Sequence, residues 1–166
     1  MSTRGGPIFQ FLARDHERLD ALLRRALAEP DRLDMEAYEE FRRGLLRHIA
    51  MEEKVLIPEA KRIRGEAPAV AKQLRADHSA LAALLVPTPT HDILRAIVGI
   101  LEEHNPLEED PGGLYEVCEE ITGDGAAAVL ARIEAVPEVP TAAHFDGPRV
   151  HEHIANLLRA RAAREH

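Results

Sequence analysis

An all-α fold, an up-down-up-down four-helix bundle with additional C-terminal helices, is what this 166-residue sequence predicts. Three observations carry that prediction. Apolar residues recur every three to four positions, no stretch alternates with period two, and Pro and Gly leave four long segments joined by short links.

The first segment places Ile8, Phe9, Leu12, Leu19, Leu22, Leu23 and Leu27 on one stripe behind Gly6-Pro7, where Pro suits the first helical position, and predicts a helix over 8–28. Glu29-Pro30 ends it. Asp34 is a candidate N-cap for a second helix through Phe41, Leu45, Ile49, Val55 and Leu56; Pro58 is expected to kink or end that helix, with Gly65 beyond it. Pro68 opens a third with Leu74, Leu81 and Leu85, stopped by Val86-Pro87-Thr88-Pro89. The fourth runs from Pro89 through Ile93, Ile97, Ile100 and Leu101 to His104. After Asp110-Pro111-Gly112-Gly113 come a short helical piece over 114–121, an Ala-rich helix over 126–136, a loop over 137–147 and an amphipathic helix from Pro148 with Val150, Ile154, Leu157 and Leu158 on one side. The division is a bundle over 1–115 and an extension over 116–166 that packs on it. No chemistry is assigned to the chain from Leu114 onward.

Composition narrows the function. With 21 Lys and Arg against 29 Asp and Glu, the net charge of −8 argues against nucleic acid and against an anionic membrane surface as partners. No apolar run approaches the roughly 20 residues that span a bilayer, and Met1 to Gly6 lacks the apolar block of a signal peptide, so a cytoplasmic protein is expected. The lone cysteine, Cys118, closes no intrachain disulfide and excludes a Cys-based zinc site. The chemistry falls to histidine and carboxylate.

Those residues form an internal repeat. Asp15-His16 recurs as Asp77-His78, and His48-x-x-x-Glu52-Glu53 recurs as His104-x-x-x-Glu108-Glu109. Each half is a helix with one His followed by a helix with His-x-x-x-Glu, as two antiparallel hairpins require. At 3.6 residues per turn, His48 and Glu52 share a face, as do His104 and Glu108. Every bundle helix aims one His along its apolar stripe: His16 with Leu12 and Leu19, His48 with Leu45, His78 with Leu74 and Leu81, His104 with Ile100. His91, thirteen residues before His104, points to nearly the opposite side.

Counted from the helix ends, His16 and His48 fall at one depth, and so do His48 and His78 if the second helix stops at Ile57. The third turn fits badly, which places the error in the boundaries there. Burying four imidazoles and two carboxylates at one level costs several kcal/mol per unpaired group, and a metal centre removes that cost by ligation; a purely hydrogen-bonded network would have to satisfy every member. Glu53 and Glu109 are read as solvated or behind the ligands, with Glu109 an alternative to Glu108.

On these motifs the chain resembles the hemerythrin-like, HHE cation-binding domains. The run from His48 to Pro58 is similar to that family's second-helix signature, and His104 to Tyr115 to a looser fourth-helix copy. The resemblance covers about residues 8–115. It implies a non-haem di-iron centre: two iron ions with an oxo or hydroxo bridge, His16, His48, His78 and His104 as terminal ligands, and Glu52 and Glu108 as bridges. The chain departs from the oxygen-carrying members in two places. Ala82 stands where they have a second third-helix His, and Pro106 falls inside His104-x-x-x-Glu108.

Imidazole with carboxylate suits iron, manganese and zinc. With Ala82 unable to ligate, five ligands per metal leave an open position on both, which favours reaction with O₂, peroxide or nitric oxide, fed by an external reductant, over storage. The alternatives are a non-enzymatic iron or oxygen sensor signalling through a partner, and a zinc-binding structural bundle.

Overall fold

The computed structural model describes residues 5–164, and the described residues are helical and irregular with no strand. Helix α1 (Pro7–Ala26) starts at Pro7 behind Gly6. Helix α2 (Met35–Met51) is capped by Asp34, whose carboxylate accepts the Ala37 N–H at 3.1 Å.

The second segment does not end at Pro58. It passes through a π-helical turn (Glu52–Leu56) into α3 (Ile57–Arg64) and stops at Gly65, left-handed at φ 91°. Pro58 lies in the first turn of α3, where its missing N–H costs little, and the wide turn before it carries an Ile57 N–H to Glu52 C=O bond. The expected depth match across the second link rested on an end at Ile57; α3 instead overshoots.

Helix α4 (Ala71–Leu84) and helix α5 (His91–Glu109) form the second hairpin, with Thr90 capping α5 through the Ile93 N–H at 3.2 Å. His78 is six residues from the end of α4 while His104 is thirteen from the start of α5, so corrected boundaries leave the third-turn mismatch in place. Seven residues of helix are about 10 Å, which six linking residues bridge easily. Pro106 does not break α5, whose helical path runs on to Glu109.

Helix α6 (Leu114–Thr122), a 3₁₀ turn (Gly123–Gly125) and α7 (Ala126–Glu134) close one end of the bundle against α1, α3 and α5. Tyr115, Cys118, Val129 and Ile133 join Ile8, Leu12, Met51, Leu56 and Leu74 in one apolar cluster, so the core runs unbroken across residue 115. A second cluster fills the other end with Leu19, Leu23, Phe41, Leu45, Leu81, Leu84, Ile97 and Ile100. Helix α8 (Pro148–Arg164) packs on α4 and sends Ile154 into that cluster. The 137–147 link is pinned to α2 through Arg42 to the Ala142 C=O at 2.9 Å. No helix among the described residues is long and apolar enough to cross a membrane.

Candidate metal centre

Between the two apolar clusters lies one polar layer. His16 sits between Leu12 and Leu19 on α1, His48 between Leu45 and Met51 on α2, His78 between Leu74 and Leu81 on α4, and His104 one turn past Ile100 on α5. These four histidines are at most 8% exposed, and Glu52 and Glu108 are 0% exposed.

The Nε2 atoms face the two glutamates. His16 Nε2 is 3.1 Å from Glu108 Oε1, His104 Nε2 3.3 Å from the same oxygen, and His48 and His78 Nε2 are 3.4 and 3.5 Å from Glu52 Oε1. The donor atoms fall into two overlapping sets, each close enough to hold one ion: His16, His48 and Glu108; and Glu52, His78, His104 and Glu108. The sequence admits Glu108 or Glu109 as the ligand. The structure puts Glu108 inside and Glu109 behind His16.

Every ring is held from its far side by a carboxylate. His48 Nδ1 lies 2.8 Å from Asp15, His104 Nδ1 3.1 Å from Asp77, His16 Nδ1 3.0 Å from Glu109 and His78 Nδ1 3.1 Å from Glu53. The pattern is systematic: the Asp before each first His holds the second His of its own hairpin, and the Glu after each inner Glu holds a His of the other hairpin. A carboxylate on Nδ1 keeps the proton there and leaves the Nε2 lone pair for a metal. Asp15 and Asp77 belong to the repeat visible in the sequence, but their partners sit on other helices and no local spacing reveals them.

The electrostatics are those of a site short of positive charge. Burial, then the charge of Glu108, raise the Glu52 carboxyl well above its ordinary range. Glu108 is held well below its own, the adjacent Glu52, His104 and His16 prevailing over burial. Against burial, Glu108 with Glu109 raises His16 to about 10, and Asp77 with Glu108 raises His104 to about 10; burial and the neighbouring His104 lower His78.

The residues fit a metal. Both oxygens of Glu52, Oε2 of Glu108 and Nε2 of His78 are buried with no hydrogen-bond partner, and each such orphan costs about 1–3 kcal/mol. Two carboxylates and four imidazoles satisfy these atoms at once by ligation.

One further side chain enters, from the stretch to which no chemistry was assigned. Tyr115 on α6 is fully buried, its hydroxyl 3.0 Å from His48 Nε2, 3.1 Å from His16 Nε2 and 3.4 Å from Glu108 Oε1. It lies outside the repeat, so periodicity gives no sign of it. His91 does not enter the site and meets the Glu29 C=O at 3.1 Å.

A helical bundle whose core is interrupted by a buried His and Glu layer with unsatisfied donors defines a metal-binding bundle protein. The family description "Hemerythrin HHE cation binding domain" matches residues 8–111, well over half of the chain, and the chain belongs to that family. Searches of the curated proteins and of the solved structures return no match.

Proposed function

We propose that this chain is a non-haem di-iron protein whose reduced centre binds or reacts with O₂, peroxide or nitric oxide. The observation that carries the reading is the facing of four Nε2 atoms and two fully buried carboxylates at one level. His16 and His48 would hold one iron and His78 and His104 the other, and Glu52 and Glu108 would serve both. Two bound irons supply two electrons and Lewis acidity to a small oxidant.

The protein's own part is positioning, protection and access. Asp15, Asp77, Glu53 and Glu109 orient the rings, and the apolar clusters on either side exclude bulk water. A cavity of about 390 Å³ reaches His16, His48, His78 and His104 between Leu19, Leu23, Leu45 and Leu81, with Asp20, Arg24 and Glu102 also in its lining, and gives a small molecule a way in. The reductant is external, and a reducing cytoplasm fits the buried, unpaired Cys118.

Metal analysis of protein purified from iron-fed cells under anaerobic conditions tests the reading. About two irons per chain are expected; zinc or a single ion at full occupancy would sink it.

A further inference from the structure

Tyr115 touches the wrong side of two histidines for a supporting residue. The carboxylates that orient the rings all meet Nδ1, whereas the Tyr115 oxygen meets Nε2 of both His16 and His48, the atoms that face the centre. Once those nitrogens ligate a metal they neither donate nor accept a hydrogen bond, and the phenol loses both contacts. It has nowhere to withdraw to. Tyr115 is 0% exposed, set edge-on to Phe9 with ring centroids 6.0 Å apart, and part of the apolar cluster with Leu12, Met51 and Cys118.

Its distances are those of a fellow ligand. Donors about 2.1 Å from one metal and at right angles to each other lie about 3.0 Å apart, and the phenol oxygen is 3.0, 3.1 and 3.4 Å from His48, His16 and Glu108, the three members of one candidate ion site. The other set has no such addition: His78 Nε2 is orphaned, and no tyrosine approaches it among the described residues.

We propose that Tyr115 is a protein ligand of the metal held by His16 and His48, binding ferric iron as a phenolate and leaving the open coordination position on the His78 and His104 side. The O–H bond of Tyr115 breaks, an O–Fe bond forms, and the proton passes to solvent. This inference rests on the di-iron reading above and adds a ligand that the repeat does not contain.

Oxidised, iron-loaded protein is examined by visible absorption and resonance Raman, with iron counted on the same sample. The expected result is a phenolate-to-iron charge-transfer band with tyrosinate ring modes that shift when the protein is grown on ring-deuterated tyrosine. Tyr115→Phe keeps the iron and loses band and modes; Tyr38→Phe keeps all three. Two irons with no tyrosinate modes in the unsubstituted protein overturns the assignment and leaves the di-iron reading standing, while protein that takes up no iron overturns both. Modes that survive in Tyr115→Phe also overturn it. If Tyr115→Phe does not fold, the isotope shift in Tyr38→Phe, where Tyr115 is the remaining tyrosine, decides the assignment: modes that shift support it, and their absence overturns it.

Discussion

The half of the centre built on α1 and α2 is crowded, and the half built on α4 and α5 is bare. His16 and His48 have a carboxylate behind each ring and the Tyr115 hydroxyl in front, whereas His78 and His104 have the carboxylates alone. A duplicated motif lays down a symmetric set of donors. What differs between the halves comes from outside the duplication: α6 on one side, and on the other a half-buried Ala82 one turn past His78. In a protein with two equivalent ligand pairs, reactivity is decided where the equivalence fails.

Glu108→Ala removes the carboxylate common to both candidate ion sites and should empty the whole centre, while His78→Ala should strip only one metal. Metal content with thermal melts checks this; losing a ligand held at about a hundred times its Kd costs about 2.7 kcal/mol of stability. Equal loss in both variants would mean that the halves do not fill independently. Next, Asp15→Asn should weaken metal binding about 10- to 100-fold at the crowded pair, and Asp77→Asn as much at the bare pair, measured by competition with a chelator.

Proton binding gives a smaller, opposite pair of trends. His16 and His104 titrate at about 10 in the folded chain against an ordinary 6.5. Being raised, they stabilise the metal-free fold fully below the unfolded value, and that contribution is lost as pH rises through the folded one. Melting temperature of metal-free protein should therefore fall between neutral pH and about 10, while metal affinity rises over the same window. A flat melting profile would show that neither His is held protonated. The smallest effect is expected from Ala82→His, which should keep two irons and slow the reaction with peroxide, followed by stopped-flow spectra, at a packing cost of about 1–3 kcal/mol. Unchanged kinetics with intact metal would place the reaction on the Tyr115 side.

The helices and the six inward groups were legible because both follow from residue spacing along one chain direction. His48 and Glu52 share a face by arithmetic, and the stripe of Leu12, His16 and Leu19 is visible without any partner. Of the two outcomes expected at Pro58, a kink or an end, the helix does not end: a π turn just ahead of the proline puts that residue in a first turn, and the segment runs on to Gly65. The fit across the α4–α5 link failed for a different reason: neighbouring helices need not be equally long when the loop can climb. Asp15, Asp77 and Tyr115 have roles that exist only across helices. The two aspartates are repeated polar residues beside a ligand; Tyr115 is marked only as the end of the stretch that resembles a fourth-helix copy.

The crossed carboxylates make the two hairpins interdependent. Glu109 of the second steadies His16 of the first, and Glu53 of the first steadies His78 of the second, so neither hairpin contains a complete set of supports for its own imidazoles. A half-chain would carry three of the six inward groups with one ring left free to turn. Firm ion capture is therefore an event of the assembled molecule: docking of one hairpin on the other acts as a latch, and a nascent chain that has emerged only as far as Gly65 has three of the six groups with His16 unsteadied.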